Sequence, residues 1–294
     1  GWRDYGLDEI DAEIRVLQSV GKTHLGFGLS RLTSSILRNY TENFYLQADA
    51  HLIFRHGWDT TLIEKYRQLK TICDKPVISM QGPLWTYRNE KIQDLYGTEI
   101  DPYLFVDKHE DVWNAGLVQS KDILNRFGDD IKDGVLCLDE YMEADILTGQ
   151  FVFSEVQFFE EVGNDPLVTV FGDETTMSMR ARTRRYRIFA IRDVVFLHLD
   201  KASSPELNWK FSYSLESNPA RDEHGLKRVK DIMTGKLLGY YGAPDEESLR
   251  EFDSTFEYSM IKYFSENVYQ SAPEEASGFD PYSQISGLIS RSKT

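Results

Sequence analysis

In the run from Glu42 to His51, Phe44, Leu46 and Ala48 alternate with larger or polar residues. This two-residue period predicts a buried strand that ends by delivering Asp49 and His51 to one face. Upstream, residues 14–17 read as a short strand. Gly26, Gly28, Leu29, Leu32, Ile36 and Leu37 then recur at helical spacing with Arg31 among them. Strand, helix and strand in that order predict a right-handed crossover unit. After His51, Asp59 is placed to cap a helix whose apolar stripe is Leu62, Ile63, Tyr66 and Leu69, and residues 77–80 follow as a strand.

Between residues 82 and 150 the periodicity weakens. Trp85, Tyr87, Tyr96 and Tyr103 stand in polar surroundings and read as partly buried loops, with a carbohydrate-stacking platform as the alternative. Residues 139–145 read as solvated acidic surface. The pattern returns with residues 151–153 as a strand, 156–162 as a short helix and Asn164-Asp165-Pro166 as a turn. From Thr175 a helix is expected, with Asp173 and Glu174 at its mouth, where the helix dipole favours carboxylates. Residues 186–190 and 194–199 read as strands, the second ending at His198. Residues 225–233 and 246–252 read as helices on either side of Gly239-Tyr240-Tyr241-Gly242. The whole is an α/β chain, with residues 1–270 as one domain and 271–294, rich in Ser, Gly, Pro and charge, as a mobile tail.

Composition narrows the function classes. The chain has 294 residues, 48 acidic against 33 basic side chains and a formal charge of −15, which opposes non-specific attraction to nucleic acid. No window approaches ~18 uninterrupted apolar residues, and no basic-plus-apolar signal pattern opens the sequence, so neither a membrane span nor secretion is expected. Cys73 and Cys137 lie apart in apolar settings and read as buried free thiols of a reducing, cytoplasmic compartment.

The candidate chemistry lies at strand ends, where α/β folds collect ligands. Asp49 and His51 sit at one such end and His198 at another. On its own a D-x-H is more often a turn cap beside a surface histidine than a metal grip. Together the three residues suit a hard divalent cation, Mn²⁺ or Mg²⁺, with the imidazoles tilting the choice to Mn²⁺. Such an ion neutralises a diphosphate leaving group, the electrostatic task in glycosyl transfer from a nucleotide sugar. Arg180, Arg182, Arg184 and Arg185 read as a solvated helix face pairing with local acids, with a phosphate or acceptor contact as the alternative, and His56 reads as structural.

A resemblance extends this reading. Gly26 to Arg31 followed by Tyr45 to His51 resembles the G-x-x-x-A-R … Y-x-x-x-D-x-D/H module of GT-A glycosyltransferases. Within that group the chain resembles the cytoplasmic N-acetylglucosaminyltransferases that modify hydroxyproline on a ubiquitin-ligase adaptor. Their D-S-H, F-x-x-G-W-D, D-P, F-x-G-E-E-I-x-M-x-x-R and late G-x-Y-G have ordered counterparts here. These are Asp49-Ala50-His51, the stretch from Phe54 to Asp59, Asp165-Pro166, the stretch from Phe171 to Arg180, and Gly239 to Gly242. The resemblance spans roughly residues 14–258. It implies a GT-A-like mixed sheet flanked by helices, and a retaining transfer from a UDP-sugar to a hydroxyl on a protein or glycan acceptor. It also implies metal and diphosphate binding by Asp49, His51 and His198, sugar or acceptor contacts by Asp173 and Glu174, Arg31 facing the donor, and Trp58 beneath the metal strand.

Three departures accompany it. The strand, helix and strand that hold uracil and ribose should precede residue 14, and the sequence shown does not include them. The family's G-Y-D is Arg185-Tyr186-Arg187 here, and its arginine before S-L is Glu247. Two other readings remain: a transferase acting on hydroxylated DNA bases, which requires a positive groove around residues 180–187, and a non-catalytic sugar-binding or scaffolding module.

Overall fold

The computed structural model describes Arg31 and residues 41–80, 82, 84–88, 91–94, 131–132, 135–136, 141–144, 146–168, 172–191, 193–199, 219–255, 261, 262 and 265. The expected strand at residues 14–17, the helix around Arg31 apart from Arg31 itself, Tyr96, Tyr103, Cys137 and the tail at 271–294 lie outside these.

Eleven strands and five helices are described. They run β1 (Phe44–Ala48), β2 (Leu52–Phe54), α1 (Trp58–Lys70), β3 (Pro76–Ser79), β4 (Leu84–Arg88), β5 (Lys91–Asp94), β6 (Ile131–Lys132), β7 (Val135–Leu136), β8 (Tyr141–Ala144) and β9 (Phe151–Glu155). Then come α2 (Val156–Glu161), α3 (Asp173–Thr183), β10 (Arg187–Ile191), β11 (Phe196–Leu199), α4 (Pro219–Met233) and α5 (Glu246–Asp253). The main sheet has the order β1-β9-β3-β10-β8, parallel only between β3 and β10. A second sheet has the order β2-β11-β4-β5, parallel only between β11 and β4, and β6-β7 is a separate pair. The fold is therefore mixed α/β and GT-A-like.

Period-2 alternation explains the layering. Ile78, Phe151, Phe153 and Phe189 face the buried stripe of α1, Leu62, Tyr66 and Leu69. Their neighbours Val77, Val152 and Ile188 face Phe158 of α2 and Met177 and Ala181 of α3. Because both faces are covered, β3 and β10 are nearly continuous apolar runs rather than alternating ones. A third cluster joins α3 through Met179 to Val229, Ile232 and Met233 of α4 and Leu249 and Phe252 of α5.

Several expectations change. In β1 the buried residue is Gln47, not Ala48, which is exposed. Helix α1 begins at Trp58 on the left-handed Gly57 (φ 75°), so Asp59 lies in the first turn instead of capping it. The weakly patterned stretch holds the β4-β5 hairpin, with Trp85 and Tyr87 on β4, and the acidic stretch contributes β8. Helix α4 begins six residues before the expected Gly225. The arginine cluster is a solvated face only in part, since Arg185 is exposed and paired with an acid while Arg180 and Arg184 turn to backbone carbonyls. Arg180 is 1% exposed and donates to the Val162 and Gly163 carbonyls, and Arg184 donates to those of Gly239, Tyr240 and Gly242. Arg185 pairs with Glu251, and Arg187 with Glu143 on β8. Arg185 occupies φ 68°, the left-handed region its family counterpart, glycine, enters freely. Cys73 is a half-buried free thiol whose pKa burial raises, and among the described residues no helix is long and apolar enough to cross a membrane.

Gly172, before α3, sets the orientation of the helix that carries Asp173 and Glu174. Its φ is 84°, and a Cβ there would lie 2.8 Å from both Val229 methyls. Gly172→Ala is expected to destabilise by about 2 kcal/mol or more, combining left-handed strain with the clash, read as a lower midpoint in urea unfolding. An unchanged midpoint would show that α3 is not held by this turn.

Candidate metal and donor site

The chain leaves the main sheet at Ala48 and enters the second sheet at Leu52, so Asp49, Ala50 and His51 form the seam between two sheets. Each side is pinned. The Asp49 N–H donates to the Gln150 carbonyl at 3.0 Å, beside the Ala48–Phe151 pair of β1 and β9. The Leu199 N–H donates to the His51 carbonyl at 3.3 Å, beside the Leu52–His198 pair of β2 and β11. Beneath the seam, Phe151 stacks on Phe196 at 4.4 Å between ring centroids, and Phe54 contacts both and Trp58. Trp58 thus packs on Phe54 of β2, the strand that follows His51.

Three donor atoms converge above these rings. His51 Nε2 and His198 Nε2 are 2.9 Å apart, and Asp49 Oδ2 lies 3.6 Å from the first and 4.0 Å from the second. All three side chains are half-buried. A point about 2.1 Å from each atom exists in their common plane, which is the bond length of imidazole nitrogen and carboxylate oxygen on a divalent first-row cation. Two inward-facing imidazole nitrogens so close need either one shared proton or a cation between them. The residues present therefore fit a divalent cation, and the site gathers all three ligands expected from the sequence.

The other expected residues lie alongside. Arg31 Nη2 is 3.9 Å from Asp49 Oδ1, and Arg31 Nη1 donates to Asp173 Oδ2. Arg31 also donates to the Gly149 carbonyl at 3.0 Å, while the Gly149 N–H donates to Glu174 Oε1 at 2.5 Å. A Cβ on Gly149 would meet both Arg31 terminal nitrogens at 3.0 Å and Glu174 Cγ at 3.2 Å, so a side chain there would press on both groups. Burial pushes the Glu174 carboxyl up from 4.5 to about 7, the neighbouring Asp173 charge pushes the same way, and the Gly149 hydrogen bond opposes both.

Sequence reasoning overlooked the loop that holds these groups. Residues 146–149 are buried without regular structure, so their backbone must find partners elsewhere. Ser79 Oγ accepts from the Thr148 N–H and donates to the Phe151 carbonyl, and Ser178 Oγ accepts from the Leu147 N–H. Gln47 Nε2 donates to the Gly149 carbonyl and Asn164 Nδ2 to Gln47 Oε1. The available signal was Gln47 itself, an amide inside an otherwise apolar strand two residues before Asp49.

Among known proteins, the family described as Glycosyltransferase (GlcNAc) matches residues 10–263, and the chain belongs to that glycosyltransferase family. A comparison with curated proteins finds no match.

The Glu174 environment makes a pH prediction. Its folded pKa is raised, so between about 4.5 and about 7 the folded state holds more protons than the unfolded chain, and stability falls as pH rises through that window. Glu174→Gln, which keeps an acceptor for Gly149, is expected to gain Tm over the wild type by several degrees at pH 8 and by little at pH 4.5. A pH-independent difference in thermal unfolding would contradict the assignment.

Proposed function

We propose that this chain is a divalent-metal-dependent, retaining glycosyltransferase that moves a sugar from a UDP-sugar to a hydroxyl on a protein or glycan. The observation that carries the proposal is the convergence of Asp49, His51 and His198 on one cation-sized position, within a chain of this family. Mn²⁺, or Mg²⁺, would be held by these three side chains and would offset the charge developing on the diphosphate.

The remaining roles follow from position. Arg31, between Asp49 and Asp173, is placed to meet donor oxygens with its guanidinium. Asp173 and Glu174, at the mouth of α3, face the same space and would contact the transferred sugar or the acceptor hydroxyl. Trp58, packed on Phe54, would support the link that carries the metal-binding residues. In the transfer, the bond between the anomeric carbon and the diphosphate oxygen breaks, and a bond to the acceptor oxygen forms on the same face. The acceptor proton passes to the departing phosphate oxygen, so no side chain has to act as base, and a Glu174 carboxyl raised to about 7 is not required to be one. Positioning and charge neutralisation supply the rate.

The arginines favour this reading over one on DNA. Arg180 is buried, Arg184 is bound to carbonyls, and Arg185 and Arg187 are paired with glutamates, so the groove a duplex requires is not offered by these residues.

The test is a screen of UDP-sugars for UDP release with and without Mn²⁺, repeated on Asp49→Ala. One UDP-sugar is expected to release UDP only with the metal. The substitution should lower Mn²⁺ affinity and turnover on the order of a hundredfold or more, since even groups that merely orient metal ligands are worth about 10–100-fold. Metal-independent release, or an Asp49→Ala protein that matches the wild type, would refute the proposal.

A further inference from the structure

Gln47 is 5% exposed and lies on the same face of β1 as Asp49, two residues on. Its Nε2–H donates to the Gly149 carbonyl at 2.8 Å, and its Oε1 accepts from Asn164 Nδ2 at 3.0 Å. That carbonyl also accepts from Arg31, and the Gly149 N–H donates to Glu174. The backbone of one residue, through the two peptide groups that flank its Cα, therefore carries two residues expected at the donor site, and the Gln47 and Asn164 amides hold its carbonyl from the other side.

The amides have a direction. Among the described residues, Asn164 Oδ1 is buried with no hydrogen-bond partner, a costly arrangement. Reversing the Asn164 amide would set two oxygens against each other at Gln47. Gln47 would have to reverse in answer, and the Gly149 carbonyl would then face an oxygen instead of a donor. The unpaired oxygen thus marks an orientation imposed by the Gly149 end. Asn164 is itself fixed, because the buried Arg180 donates through Nε and Nη2 to the Val162 and Gly163 carbonyls of the turn that presents it.

We propose that Gln47 and Asn164 are positioning residues for the donor site, forming a directed amide relay from Asn164 through Gln47 to the Gly149 carbonyl, which Arg31 shares, and so to the Gly149 backbone whose N–H holds Glu174. The relay rests on the UDP-sugar reading above. Neither amide is one of the three metal donors, so metal affinity and sugar positioning should separate.

The experiment compares wild type, Asn164→Ala, Gln47→Met and the double variant. Gln47→Met keeps the side-chain size and removes both hydrogen bonds. Three quantities are read: kcat and KM for UDP release from the best UDP-sugar, Mn²⁺ affinity by calorimetry, and hydrogen exchange at Gly149 in the metal-free protein. The relay predicts kcat lower by about tenfold in Asn164→Ala and on the order of 10–100-fold in Gln47→Met, the cost of a small misplacement. The double variant should match Gln47→Met, because Asn164 acts through Gln47. Mn²⁺ affinity should stay within about twofold of wild type, and Gly149 should exchange faster in every variant. Mn²⁺ affinity falling in step with kcat, single effects that multiply in the double variant, or a Gln47→Met protein with unchanged kcat and Gly149 protection would each overturn the relay. A wild type that releases UDP from no UDP-sugar would sink the donor reading and the donor-site role with it, while the exchange data would still report whether the amides hold Gly149.

Discussion

The stacking of Phe151 on Phe196 is the contact on which the site depends. The chain passes between the two sheets at the short link from Asp49 to His51, and again between β3 and β4 and between β10 and β11, and each strand on either side of the first link has its own register. Two backbone hydrogen bonds flank the link, worth about 0.5–1.5 kcal/mol net each. Phe151 and Phe196 are fully buried, worth about 1.5–3 kcal/mol each, and Phe54 and Trp58 extend the same cluster. Apolar packing thus outweighs the polar link in joining the sheets. Phe151 follows the residue whose carbonyl holds Asp49, and Phe196 precedes His198 by two. The contact that joins the sheets therefore also brings the three metal-ligand candidates together.

Above that apolar floor the charges do not balance. Arg31 stands against Asp49, Asp173 and, through Gly149, Glu174. An excess of carboxylates in a half-buried site raises its affinity for cations and for protons alike. The raised Glu174 carboxyl has burial as its first cause, and the Asp173 charge adds to it. Gly149 eases the crowding, because a side chain at that position would press on Arg31 and Glu174.

The departures from the family pattern lie away from the metal donors. Arg185 takes a left-handed turn suited to glycine and pairs with Glu251, and Arg187 pairs with Glu143, so both substitutions are absorbed on the surface. Glu247 is exposed on α5. These changes leave the seam untouched and alter the face that α3 and α5 share.

Much of the fold was legible from periodicity. The helix stripe of Leu62, Tyr66 and Leu69 repeats at 3.6 residues because one face is buried, and local spacing records that directly, whereas the period of two located β1 without telling which of its residues is buried. The D-x-H and the distant His198 were legible as ligand types, and the ordered motifs pointed to the glycosyltransferase family that matches residues 10–263. The hairpin of β4 and β5 escaped notice, since cross-strand pairing leaves little local period in polar surroundings. The fates of Arg180 and Gln47 were equally hidden. A charged or amide side chain looks the same in sequence whether water or a buried carbonyl satisfies it, and only the packed chain brings that carbonyl within reach. Residue types and spacing therefore determined which elements form and which chemistry was available. Tertiary structure alone decided that two sheets meet at Asp49, because the meeting depends on rings far apart in sequence finding one another out of water.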